Sequence, residues 1–233
     1  ENLAQDTTAR KVSLRDFGAV LFQGGNGGTT VAATMFAAES QGMRVFATGG
    51  IGGVHRNAPF DISADLMQLG RSPVLVVCAG VKSILDIAAA VECLETQGVP
   101  VMGYQREDFA AFFSRKSGIK NHFQAQSPQE VAQIAKMHWE IGLKSGILLA
   151  VPPPEATALP FERMEEIISQ ALIEAEAEGV HGSALTPYLL AKVNQLSGGE
   201  SLKANLALLL NNAAVAAQVA AQMADKVTLS RPL

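Results

Sequence analysis

Cysteine is scarce: Cys78 and Cys93 are the only two in 233 residues. So small a set forms neither a disulfide framework nor a zinc cluster, and it fits a reducing compartment. The expected location is cytoplasmic. Positive charge is in the minority, with 18 Lys and Arg against 22 Asp and Glu, a net charge of -4. No basic field is available for a nucleic-acid backbone. A nucleotide-sized ligand stays within reach, because one phosphate needs only a few local donors. Long apolar runs are also lacking. Stretches 145–151 and 206–220 are too short, or too broken by polar residues, to read as membrane spans. The opening ENLAQDTTARK has neither the apolar core of a signal peptide nor an initiator Met. Processing, truncation and origin as one piece of a longer protein all agree with that start.

Hydrophobic residues make up 48% and charged residues 17%, a globular balance. One sizeable core, or a core and a small lobe, suits this length. Apolar runs end repeatedly in glycine turns that lead into helical patterns. GAVLFQ at 18–23 reads as the first such run and MRVFATGG as the second strand. PVLVVCAG reads as a strong buried strand, with VPVMGYQ and SGILLAVPPP after it. DISADLMQLGR is a short helix capped by Asp61 or Ser63. KSILDIAAAVECLETQG is a helix stopped at Gly98. DFAAFFSRKSGIKNHF reads as a helix or turn leading into a loop. Ser127, Pro128 and Glu130 together form a capping box. The recurrence predicts an α/β layer with parallel strands, whose ligands gather at the strand carboxyl ends.

Two glycine clusters carry the chemistry. Gly24-Gly25-Asn26-Gly27-Gly28-Thr29-Thr30 is expected at a strand-to-helix turn, where backbone N–H groups and both hydroxyls cradle an anion or the glycines merely turn the chain. It has neither the P-loop ending nor the dinucleotide spacing. Thr48-Gly49-Gly50-Ile51-Gly52-Gly53-Val54-His55-Arg56 follows a strand, and its His-Arg pair points to phosphate. Lys82 follows the buried PVLVVCAG run. Burial there lowers an ammonium pKa and frees a nucleophile; the plainer alternative is a solvated lysine at a helix start, poorly matched to the helix dipole. Asp61 and Asp65 share one helical face if the helix extends over both, as a cation pair or with one as cap.

NGGTTVAATM, FATGGIGGVHR, FDISADLMQL, VVCAGVKSILD, LETQGVPVMGYQ and SLKANLALLLNNA are long, ordered stretches. Through them the chain resembles the pseudouridine-5'-phosphate glycosidases, the indigoidine synthase A-like family. The resemblance runs from about Lys11 to about Ala217 and implies a three-layer α/β/α fold, a mainly parallel central sheet and an added small lobe. It makes residues 1–233 a single domain. It implies reversible cleavage of the C–C glycosidic bond of pseudouridine 5'-phosphate to uracil and ribose 5-phosphate by a homotrimer. Under it Lys82 is the imine-forming lysine and Asp65 binds manganese. Gly25, Asn26, Thr29, Thr30, Thr48, His55, Ser63 and Asn205 line the substrate, with His55 and Ser63 toward the phosphate, Thr48 near the base and Asn205 on uracil. No nucleic acid or membrane partner is implied.

Two departures stand out. The family's early ESTIIxHGxP stretch, with its proton-handling glutamate, is absent from the 233 residues, and a separate N-terminal fragment would supply it. Gly25 stands where the family carries lysine. Weak or no turnover by this chain alone is the expectation. The alternatives are a C-ribosylating synthase acting on another aromatic acceptor, and a noncatalytic sugar-phosphate-binding relative.

Overall fold

The structure, a computed structural model, describes residues 2–56 and 58–224. In chain order it runs α1 (Asn2–Gln5), β1 (Arg10–Val12), α2 (Phe17–Gln23), β2 (Gly27–Thr29), α3 (Val31–Ser40), β3 (Val45–Ala47), β4 (Val54–His55), β5 (Ala58–Ile62) and α4 (Ala64–Leu69). It continues with β6 (Leu75–Cys78), β7 (Leu85–Asp86), α5 (Ile87–Thr96), β8 (Val101–Tyr104), β9 (Phe123–Ala125) and α6 (Pro128–Glu140). Strand β10 (Ile147–Ala150) and helices α7 (Phe161–Ala177), α8 (Leu185–Leu196) and α9 (Glu200–Ala224) complete it.

Five strands form one parallel sheet in the order β3-β6-β10-β8-β9. Side chains alternate across a sheet, so a strand buried on both faces must be apolar throughout. LVVC of β6 and ILLA of β10 meet that demand at every position. Leu75, Val77, Ile147 and Leu149 pack with Val131 and Ala135 of α6 and with Val215 and Val219 of α9. Val76, Cys78, Leu148 and Ala150 face the other way, toward Leu66 of α4, Leu94 of α5 and Ile168 of α7. Helices therefore cover both faces, giving an α/β/α sandwich. Burying each such Leu or Val stabilises the fold by about 1.5–3 kcal/mol. Two smaller sheets accompany it: antiparallel β5-β4-β7 and the parallel pair β1-β2.

Two local expectations change and a third is narrowed. GAVLFQ lies in helix α2, not a strand; Leu21 and Phe22 are exposed, and Gly24 ends the helix with a left-handed φ of 62°. A short apolar run carries no period that separates strand from helix. The first glycine cluster thus follows a helix, and its Gly27–Thr29 portion pairs with β1. Of the two readings of DFAAFFSRKSGIKNHF the turn holds: the chain turns at 112–113 and is held by isolated bridges, Asp108 to Lys120 and Ala111 to Ser114, with no helix. Ser127 does cap α6, accepting from the Glu130 N–H, but Glu130 reaches back to the Gln126 N–H rather than to that of Ser127.

Among the described residues, α9 is the one helix long and apolar enough to cross a membrane. Its Leu208, Asn212 and Val219 are buried within the chain.

Candidate functional site

Strands β3 and β6 end side by side, and their pairing continues into the loops beyond them. Ala79 N–H donates to Gly49 O at 2.9 Å, Ile51 N–H to Gly80 O at 3.0 Å and Lys82 N–H to Ile51 O at 3.0 Å. Thr48, the second glycine cluster and Lys82 therefore share one carboxyl edge of the sheet. Two glycines there are forced. Gly80 adopts a φ of 88° under the carbonyl of Ala110. At Gly52 a Cβ would collide with Ser63 Oγ and come within 2.9 Å of Asp65 Oδ2.

Asp65 explains the second requirement. Ser63 caps α4, its hydroxyl accepting from the Asp65 N–H at 3.3 Å. That start directs the buried Asp65 carboxylate into the loops. Its Oδ1 accepts from Ala32 N–H at 2.8 Å and its Oδ2 from Gly52 N–H at 2.7 Å. One carboxylate thus joins the first turn of α3, the second glycine cluster and α4. The partner expected on the same helical face, Asp61, lies instead in β5, 4.0 Å from His55 Nε2.

Lys82 is half-buried and precedes β7, so it does not open a helix; Asp86 caps α5 four residues later. Burial pushes its ammonium below the ordinary value, the charge of Asp65 partly restores it, and the charge of Lys11 lowers it further. The shift is toward the neutral, nucleophilic amine, with a carboxylate still in its field. Lys11 on β1 was not anticipated. Its sequence context, an exposed lysine near the chain start, carries no sign that β1 brings its charge toward Lys82.

Helix α9 supplies the opposite wall. Asn205 Oδ1 stands 3.4 Å from where a Cβ on Gly49 would sit, and its side chain makes no hydrogen bond among the described residues. Two turns on, the fully buried Asn212 donates from Nδ2 to Thr48 O at 2.9 Å and Gly49 O at 3.4 Å. Sequence reasoning had found Asn205 only by resemblance and had missed Asn212. The NN pair inside an apolar helix was the available signal.

Other expected groups are engaged elsewhere. Arg56 makes a paired contact with Glu165 at 2.7 and 2.8 Å and also donates to Ser83 O and Leu85 O. The His-Arg pair therefore does not present both members to a phosphate; Arg56 clamps α7 to β7. Thr30 caps α3, accepting from Ala33 N–H, and Thr29 Oγ1 bonds Thr34 Oγ1 at 2.8 Å. Asn26 donates to Asp6 at 2.9 Å, and the exposed Gly25 has only Val20 within 4 Å of a built Cβ. Thr30 reaches the site through the same helix start that binds Asp65. No described contact links Gly25 or Asn26 to Lys82 or Asp65.

A manganese ion at Asp65 would have few protein ligands and would draw most of its shell from water. Each Asp65 carboxylate oxygen accepts one backbone N–H and keeps a further lone pair, and the described residues gather no cluster of three or more His, Cys, Asp or Glu. A hard divalent ion takes about six oxygen ligands, waters included, so one carboxylate can anchor it.

The fold and these contacts define a layered α/β protein that sets a desolvated lysine beside a buried carboxylate at parallel strand ends. The family described as indigoidine synthase A like protein matches residues 1–222. A pseudouridine-5'-phosphate glycosidase of Deinococcus radiodurans is 51% identical over 226 residues, covering 96% of this chain and 72% of that protein. One from Cupriavidus pinatubonensis is 50% identical over 227 residues, covering 97% and 72%. The crystal structure of the prealnumycin C-glycosynthase AlnA in complex with ribulose 5-phosphate superimposes with a TM-score of 0.89 at 40% identity, covering 94% of this chain and 73% of that one. The chain belongs to the indigoidine synthase A-like family and is an enzyme of that family.

Proposed function

We propose that this enzyme makes and breaks the C–C glycosidic bond of pseudouridine 5'-phosphate, with Lys82 as the covalent residue. The single observation that carries the mechanism is the burial-depressed ammonium of Lys82 in the electrostatic field of Asp65, at the carboxyl edge of β6. The neutral amine forms a bond to C1' as the C1'–O4' bond breaks, and O4' leaves as a hydroxyl after taking a proton. Uracil C5 then takes a proton. The C1'–C5 bond breaks with its electron pair retained by the base, and the nitrogen lone pair closes the C1'=N imine. Water adds to C1', releasing ribose 5-phosphate and the Lys82 amine. The reverse sequence joins uracil to ribose 5-phosphate. Electrons balance without an oxidant, and no step is routed through manganese.

In this reading Asn205 contacts the base from α9, with Thr48 beside it. Ser63 and His55 take the phosphate side together with Thr29 and Thr30, while Gly25 and Asn26 border the entrance. Asp65 holds the loops and balances the charge of Lys82. The proposed assembly is a homotrimer. Support comes from large apolar side chains left at the surface, with Phe60 97%, Phe22 93% and Leu210 75% exposed. Light scattering coupled to gel filtration reads the mass directly.

A second reading has one observation in its favour. Space is open at Gly25, where the family carries lysine, and a structural neighbour is a C-glycosynthase. Ribosylation of an aromatic acceptor other than uracil would use the same imine.

The test is borohydride trapping with ribose 5-phosphate followed by peptide mass spectrometry on the parent, Lys82→Ala and Lys82→Arg. The expected adduct maps to Lys82 and disappears in both variants, since arginine keeps charge but forms no such imine. An adduct on another lysine, or one that persists in the variants, refutes the assignment.

A further inference from the structure

A second cleft opens at the carboxyl ends of β8 and β10, two strands further along the sheet than β6 in the case of β8. Its volume is about 290 Å³, and its walls include Tyr104, Gln105, Arg106, Arg115, Pro152 and Asn211. None of the residues lining it is an aspartate or glutamate. In a chain of net charge -4, two arginines thus line one cleft with no carboxylate residue in its wall. Glu107 is next to Arg106 in sequence but pairs with Lys120 at 2.7 Å. The Arg106 guanidinium makes no hydrogen bond or ion pair among the described residues.

Arg115 is held differently. It is half-buried, and one terminal nitrogen donates to Pro153 O at 2.7 Å. That bond orients the planar fork while leaving other N–H donors unused. The Tyr104 hydroxyl adds a donor, and its partial burial pushes the phenol above its ordinary value. The backbone between these groups is unusual. Gln105 has a φ of 56°, left-handed for a residue with a side chain, and is pinned by its N–H to Ala125 O at 2.9 Å and by its side chain to Gln126 O at 3.0 Å. Such held conformations concentrate at ligand sites. Two arginines on one cleft suit an anion between them, because bidentate guanidinium contacts to oxyanions are short and strong.

We propose that this cleft is a second anion-binding site, in which Arg106 and Arg115 clamp a tetrahedral phosphate, either free or as the monoester of a small sugar. It shares no lining residue with the loops around Lys82 and Asp65. Helix α9 borders both places, with Asn205 at Gly49 and Asn211 in this cleft. The volume is at the lower end for small-molecule pockets, which suits a phosphate with a short tail rather than a whole dinucleotide. The proposal does not depend on imine chemistry at Lys82.

Isothermal titration of the full chain with inorganic phosphate and, separately, with ribose 5-phosphate tests it. The proteins compared are the parent, Lys82→Ala, Arg106→Glu and Arg115→Gln. Arg106 is exposed and unpaired, so its reversal leaves the thermal midpoint unchanged and keeps the comparison interpretable. The expected result is a binding event that survives in Lys82→Ala and weakens at least about tenfold in Arg106→Glu, the loss of one charge-assisted contact. Equal weakening for both ligands identifies phosphate itself as what is recognised. Weakening for ribose 5-phosphate alone identifies the sugar monoester. Unchanged binding of both ligands in Arg106→Glu, or binding by the parent that vanishes in Lys82→Ala, overturns the second site. Lys82 trapping is read on the same samples, so failure here is separable from failure of the imine mechanism.

Discussion

Replacing Asp65 by Asn changes little in shape and much in bonding. The carboxylate accepts two backbone N–H bonds, at 2.8 and 2.7 Å, in a residue only 4% exposed. An amide keeps one acceptor oxygen. Its NH2 group must then face either Ala32 N–H or Gly52 N–H, donor against donor. A hydrogen bond to a charged group contributes about 1.5–3 kcal/mol, and leaving a buried donor unpaired costs about 1–3 kcal/mol. Because these figures overlap in what they count, about 3–4 kcal/mol is the expected loss. For a chain of this size each kcal/mol moves the thermal midpoint about 2–4 °C, so Asp65→Asn should melt about 10 °C below the parent. The substitution also has an electrostatic readout. Asp65 raises the Lys82 ammonium pKa against the lowering by burial, so removing its charge lowers that pKa further. The pH at which borohydride traps half the maximal adduct should fall in Asp65→Asn. Differential scanning calorimetry and the trapping profile measure the two effects. A midpoint within about 2 °C of the parent would refute the account of Asp65 as the bond that joins three segments. An unmoved trapping profile would refute its coupling to Lys82.

Lys82→Met should raise the thermal midpoint at neutral pH, because the unfolded chain holds the lysine proton more tightly than the folded one does. The burial penalty is full below the depressed folded pKa and fades as pH rises past the ordinary 10.5, so melting curves of parent and variant should converge in alkali. Gly52→Ala drives a methyl into Ser63 and Asp65 and should cost about 1–3 kcal/mol by denaturant titration, with the trapped adduct falling alongside. Asn212→Leu strands the carbonyl of Thr48, while Gly49 O keeps the Ala79 N–H, and should cost about 1–3 kcal/mol, with faster hydrogen exchange in 48–53. Manganese titration followed by electron paramagnetic resonance should show weaker binding in Asp65→Asn, which removes the anionic oxygen ligand; equal binding by both proteins refutes a metal role for Asp65.

Local signals read directly from the chain were those whose physical cause is also local. The LVVC and ILLA runs are strands because a sheet covered on both faces needs apolar residues at every position. Ser63 and Ser127 cap helices because a hydroxyl one turn before the orphan N–H groups satisfies them. Lys82 was legible because it directly follows the strongest apolar run, and burial of a strand end is written in that run. GAVLFQ failed for the converse reason. Its large side chains at 21 and 22 point to solvent, so no buried face imposes a period on it.

The covered sheet and the placement of Lys82 and the second glycine turn at strand ends were determined by the amino-acid sequence itself, through periodicity, caps and glycine. Which side chain meets which was decided only by the tertiary structure. Arg56 finds Glu165 109 residues away, Asn212 finds Thr48 164 residues away, and Asp65 finds Ala32 across 33. Each of these is a polar group whose partner is chosen by the closing of the layers, when desolvation makes an unpaired donor or acceptor costly. The sequence displays the groups in need of partners; the packed sheet and its helices select them.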